Sequence, residues 1–191
     1  MEQRLRETLR YLGYGKYVID ESTSHLITES FAKLEAIKRE RFVYRFSEIE
    51  RLGEHLLQIE NMQIQSKDLI KNLAGCKKCA IFAATLGIEV DIYIRKCTML
   101  DMANTVIVQA CAATLMEEFC DRIEQEIRDE VQKDKMKLKP RFSAGYGDFR
   151  IEHQEHILAI LEAQKKIGLM MTESFMMVPT KSVTALIGII Q

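Results

Sequence analysis

Residues 137–148 read K-L-K-P-R-F-S-A-G-Y-G-D, a mixture of residue types suited to holding a small ligand. Gly145 and Gly147 flank Tyr146, and Arg141 stands four residues before the first glycine. Glycine lets the backbone take positive φ or come close to a ligand. A tyrosine between two glycines is free to lay its ring against a planar group. Arginine offers a two-pronged fork to a carboxylate or phosphate. Exposed amides in such a loop can also hydrogen-bond a purine edge. Together these groups suit a ligand with a carboxylate at one end and an adenine-like ring at the other. The same residues also fit a glycine-rich turn with Arg141 in a surface salt bridge.

Other candidate groupings are weaker. Cys76 and Cys79 form a CxxC, but no second CxxC or Cys-His pair completes four zinc ligands. They read as buried or half-buried thiols. In E-H-Q-E-H, residues 152–156, the histidines are three apart, whereas a zincin helix needs four. As the first turn of a helix, with its acids at the positive end, that segment has a sufficient structural explanation. His25 and His55 are isolated, and no Walker or Rossmann glycine pattern occurs. Met170, Met171, Met176 and Met177 flank T-E-S-F and read as adaptable core filling, or as a wall against a flat ligand. No catalytic residue, metal ligand set or self-sufficient active site is expected.

The elements around the loop are mostly helical. Leu5, Leu9 and Leu12 give a short amphipathic helix that Gly13 stops, and Ser22 or Ser24 can cap a second that runs to about Arg39. Residues 41–46, R-F-V-Y-R-F, read as a strand. So do residues 55–59 and 62–65, with Glu60-Asn61 as a turn or bulge. Ser66 caps a short helix, and residues 78–85 form a buried strand. Residues 88–99 return to helical spacing. The longest helical pattern runs over 101–133, its first half apolar all round and rich in small side chains. A further helix is expected over 151–167, and residues 182–190, S-V-T-A-L-I-G-I-I, read as a terminal strand. The one linker-like stretch is at residues 16–22. No repeated β-α-β unit is visible. The expected fold is α+β, an antiparallel or mixed twisted sheet flanked by helices with one long central helix. Residues 1–40 are expected as an N-terminal helical arm, and 41–191 as the main domain.

Composition sets the bounds. A chain of 191 residues with 27 basic and 28 acidic side chains has a net charge of −1. That balance gives no general attraction to nucleic acid or anionic membranes. Five cysteines, an odd number, do not make a secreted disulfide framework. The N-terminus lacks a signal-peptide core, and the most apolar run is too short to cross a bilayer. A cytoplasmic protein with no nucleic-acid or membrane partner is expected.

The motif R-F-S-A-G-Y-G-D, followed later by G-L-M-M-T-E-S-F-M-M-V-P-T-K-S-V-T-A, resembles the activation domain of cobalamin-dependent methionine synthase. The likeness extends to L-A-G-C-K-K-C-A-I-F-A-A-T-L-G-I-E-V-D and is greatest to the short, free-standing activation-subunit form. The resemblance implies binding of S-adenosylmethionine and its presentation to the cobalamin of a partner methionine synthase. There cob(II)alamin is remethylated with an electron from flavodoxin or ferredoxin. It assigns Arg141 to the methionyl carboxylate, Gly145 to close backbone approach and Tyr146 to the ligand's rings. Ala144, in the place of the family's usual proline, completes the expected ligand-binding set.

The longer domain continues into a strand with paired tyrosines at the ligand, so that wall is expected to be missing or supplied by another chain. Its N-terminal acidic ligand has only Asp20 and Glu21 as nominal counterparts. The rival expectation is a non-catalytic protein that docks on a corrinoid methyltransferase without binding S-adenosylmethionine. A third is an adenosyl-ligand enzyme acting on another methyl acceptor.

Overall fold

A computed structural model describes residues 2–14 and 20–191, so residues 16–19 of the linker-like stretch lie outside the described residues. The chain opens with α1 (Glu2–Tyr11) and α2 (Glu21–Ile37), then β1 (Arg41–Arg51), β2 (Leu56–Ile59) and β3 (Met62–Gln65). Next come α3 (Lys67–Asn72), β4 (Lys78–Thr85), α4 (Ile88–Leu100) and α5 (Met102–Gln132). After β5 (Lys137–Leu138) follow α6 (His153–Leu161), α7 (Ala163–Ile167), β6 (Met170–Met171), β7 (Met177–Val178) and β8 (Ser182–Ile190). The fold is α+β. A six-stranded sheet of order β3-β2-β1-β4-β8-β5 is antiparallel at every pairing, and β6 and β7 make a separate hairpin.

β4 lies between β1 and β8 and is covered on both faces, which is why its sequence is a continuous apolar run. Side chains alternate across it. Ala80, Phe82 and Ala84 meet α5 through Cys111, Leu115 and Phe119. Cys79, Ile81 and Ala83 meet the opposite layer of Leu69, Phe149, Ile157 and Leu161. Small residues on α5, including Ala110 and Ala112, let that 31-residue helix lie close to its neighbours. Asp101 separates it from α4, and its carboxylate accepts from the Asn104 N–H at 3.3 Å.

The N-terminal helices pack along α5. Ile27 and Leu34 join the Phe82 cluster, and the Thr8 and Thr114 hydroxyls are 3.0 Å apart. Arg4 Nε donates to Glu118 at 2.8 Å. Asp20 caps α2, its carboxylate accepting from the Thr23 N–H at 2.6 Å.

The short strand β5 and the β6–β7 hairpin fall where no strand is expected, Asp20 rather than Ser22 or Ser24 caps α2, and two further elements differ from expectation. β1 continues five residues past Phe46 through polar S-E-I-E-R, because Ile49, Glu50 and Arg51 pair with β2. Pairing on the outer strand replaces the hydrophobic pattern that would have announced it. The single helix expected over 151–167 is two. Glu162 takes a left-handed conformation (φ 53°) and ends α6, while α7 restarts at Ala163. Ala163 and Ile167 are thereby buried against the sheet layer.

Candidate functional site

The loop leaves the sheet edge in steps. The Lys139 N–H donates to the Gly188 carbonyl at 2.8 Å, and Phe142 exchanges both backbone hydrogen bonds with Leu186 at 2.9 Å. Beyond Phe142 the chain parts from β8.

Arg141 turns towards α5. Its Nη1 donates to Asp121 at 3.0 Å and to Glu124, and its Nη2 donates to Glu117. These acids are four and three residues apart, the spacing that puts side chains on one helix face. Burial works against the guanidinium's charge. Hydrogen bonds to Glu124 and Asp121 outweigh it and hold the pKa above its ordinary value. The neighbouring Cys120 thiol is pushed up to about 12 by burial. Arg128 also lies 4.0 Å from Glu124, so the three carboxylates meet two cations and this corner stays net negative.

Ala144 is 3% exposed and packs in the Phe149 layer. Gly145 has φ +95°, and a Cβ there would sit 2.9 Å from Ile151 Cδ1. Its N–H donates to the Phe149 carbonyl at 2.7 Å. The close approach that this glycine permits is thus to Ile151. Tyr146 is 69% exposed on the lip. At Gly147 (φ +55°) a Cβ would overlap the Asp68 carboxylate.

Asp148 anchors the far end. Its Oδ1 accepts from Ser66 Oγ at 2.5 Å and from the Asp68 N–H at 3.1 Å, and its Oδ2 accepts from the Lys67 N–H at 2.8 Å. The Ser66 hydroxyl also accepts from the Leu69 N–H at 3.0 Å, as its capping role requires. The carboxylate therefore sits at the amino end of α3, and the bond from Ser66 leads the effects that lower its pKa.

Arg141, Ala144 and Tyr146 line one cavity of about 320 Å³ with Glu117, Phe142, Ser143, Gln154, Met177, Ser182, Val183 and Thr184. Gly145 is not in its lining. A larger cleft of about 920 Å³ lies between α6, α7 and the β6–β7 hairpin, lined by Leu158, Met170 and Phe175 among others. It contains none of the loop residues. The methionines split accordingly. Met171 and Met177 pack inward, while Met170 and Met176 are exposed.

Other sequence candidates lie elsewhere. Cys79 is buried in β4, where burial lifts its thiol to about 12, and burial raises Cys76 as well. The His153 ring stacks on Phe149 at 5.4 Å, and burial lowers its pKa. Among the described residues, no group of three or more His, Cys, Asp or Glu could hold a metal ion.

Sequence reasoning missed Glu117, Asp121 and Glu124, although their spacing on a helix was visible. Gln154, inside E-H-Q-E-H, and Thr184, near the end of the 168–185 segment, were not singled out as site residues.

Comparison with known proteins decides the family. The family model "Vitamin B12 dependent methionine synthase, activation domain" matches residues 45–189. This chain belongs to that family. Membership connects it with activation of the B12-dependent synthase and implies a cobalamin-binding partner. A solved structure of the MetH reactivation domain bound to AdoHcy is similar in fold, with a TM-score of 0.67 and 20% identity. The similarity covers 91% of this chain and 67% of that one. At that identity the likeness speaks for the fold. No curated protein gives a significant match. No helix among the described residues is long and apolar enough to cross a membrane.

Proposed function

We propose that this chain is a cytoplasmic activation subunit that binds S-adenosylmethionine and presents it to the cobalamin of a partner methionine synthase. The observation that carries the reading is the single cavity shared by Arg141, Ala144 and Tyr146. The fit with the ligand is chemical. S-Adenosylmethionine carries a cationic sulfonium, and the acids of α5 give this corner net negative charge. Tyr146 offers an exposed ring face at the lip, and Phe142, Met177 and Val183 give apolar walls.

The ligand supplies a methyl group made electrophilic by the sulfonium. Transfer of that methyl calls for no general base, only for the donor held in line with its acceptor. The chain's part is therefore to bind and orient. Arg141, steadied by Glu117, Asp121 and Glu124, faces the methionyl carboxylate, and Tyr146 faces the rings. One electron from a flavodoxin or ferredoxin, together with the transferred methyl, restores methylcobalamin on the partner and leaves S-adenosylhomocysteine.

Calorimetric titration with S-adenosylmethionine tests the reading, first on the wild type and then on Arg141→Ala. Binding by the wild type and its loss in the variant are expected. Absence of heat with the wild type, both alone and with the cobalamin protein present, overturns the ligand assignment.

One observation favours a second reading. Both terminal nitrogens of Arg141 are already engaged by α5 carboxylates. A chain using Arg141 only as a structural tie would dock on a corrinoid methyltransferase without taking the ligand. Capture of the corrinoid protein unchanged by Arg141→Ala, with no ligand heat, selects that reading.

A further inference from the structure

β8 offers a length of unpaired edge at the cavity. Leu186 uses its N–H and C=O on Phe142, and Gly188 uses its C=O on Lys139. In an antiparallel ladder alternate residues present both backbone groups to the same side. Thr184 therefore turns its N–H and C=O to the edge that the chain abandons after Phe142. The residue is 1% exposed and lines the same cavity as Arg141 and Tyr146. Its hydroxyl oxygen is buried with no hydrogen-bond partner among the described residues. A buried hydroxyl left unpaired destabilises a folded chain, so such groups call for an explanation. Gln154, 7% exposed, stands in the lining as a second buried polar side chain.

We infer that Thr184 is the specificity-determining residue for the base of the adenosyl ligand. Its backbone N–H and C=O pair with the neighbouring acceptor and donor along the adenine edge, and its hydroxyl gains the partner it lacks in the free protein. This inference rests on the adenosyl-ligand reading above. It places the base against the sheet edge and leaves the cationic end near the α5 acids. Thr184 lies outside the R-F-S-A-G-Y-G-D loop, on the strand that the loop leaves.

Thr184→Val tests the inference, because valine keeps the shape and removes only the hydroxyl. The probes are S-adenosylmethionine, adenosine and inosine, titrated into wild type and variant, with melting curves for both proteins. The variant is expected to melt at or above the wild-type temperature, since the orphaned hydroxyl is gone. Its affinity for S-adenosylmethionine and adenosine should fall about tenfold, the effect of one lost hydrogen bond. The wild type should prefer adenosine to inosine, whose 6-oxo group reverses the donor.

Unchanged affinity in Thr184→Val, or equal binding of adenosine and inosine, overturns the inference and leaves the S-adenosylmethionine reading standing. Thr184-dependent binding of adenosine without any binding of S-adenosylmethionine does the reverse. Binding of none of the probes overturns both.

Discussion

The two ends of the 141–148 loop are held by opposite chemistry. At one end a cation, Arg141, is gripped by three carboxylates projecting from one face of α5. At the other an anion, Asp148, sits on a serine hydroxyl and two backbone N–H groups at the start of α3. The Asp148 end uses fixed backbone donors and a glycine at positive φ, where a Cβ would press on the Asp68 carboxylate. The Arg141 end is held by side chains alone, one of them, Asp121, 66% exposed. Backbone donors cannot turn towards a ligand, whereas acidic side chains can yield an arginine to a competing carboxylate. On the proposed reading, the Asp148 end anchors the loop and the Arg141 end receives the ligand.

The largest effect on folding is expected from Gly147→Ala, which places a Cβ against Asp68 at positive φ. A loss of about 2 kcal/mol in denaturant unfolding follows from the combined strain and overlap. Wild-type stability in that variant would break the anchoring half of the comparison.

Arg141→Ala should show the opposite profile. S-Adenosylmethionine affinity is expected to fall more than tenfold by calorimetry, with a stability loss of about 1 kcal/mol. A larger loss of stability than in Gly147→Ala would mean that the arginine is the anchor.

Acidity sharpens the contrast. The folded-state pKa of Asp148 is below its ordinary 3.8, so its contribution is present above that value and is lost as pH falls through the lower folded value. Wild type should therefore melt above Asp148→Asn at neutral pH, with the gap closing in acid below pH 3.8. A gap that persists there would separate the anchor from the carboxylate's charge.

The smallest effect on folding belongs to Tyr146→Ala. Stability should stay within about 0.5 kcal/mol, because the ring is exposed. Ligand affinity should fall several-fold as stacking area is lost, measured by the same titration.

Much of the framework was legible from the chain alone. The runs at 78–85 and 182–190 are apolar because both faces of those strands are covered, and α5 is rich in small residues because it lies against neighbours on several sides. Glu60-Asn61 is a hairpin turn between Ile59 and Met62, with Glu60 at positive φ. The outer half of β1 was not legible, since its five polar-leaning residues are ordered by pairing and carry little burial signal. Glu162 breaks its helix with neither glycine nor proline to mark the place, so only packing of Ala163 and Ile167 accounts for it.

At the site, the glycines and the arginine could be found by type, but not what holds them. Arg141's partners lie 17 to 24 residues upstream on another element, and Asp148's lie about 80 residues away. Thr184 was hidden for a different reason. In sequence it is simply a β-branched residue in a strand, and only the departing loop turns it into a polar wall.

The backbone hydrogen bonds inside the loop have an entropic consequence. Tyr146 donates its N–H to Ser143 and accepts from Phe149, while Gly145 donates to Phe149, so the backbone on both sides of the ring is already ordered. A ligand that closes against the ring has to still little more than two side-chain torsions, an entropic penalty of about 0.5–1.5 kcal/mol for one side chain. Folding a loop around the ligand would instead cost about 1–2 kcal/mol for every residue ordered. Association with this surface is accordingly expected to be fast, with a heat-capacity change no larger than the cavity's own apolar area requires.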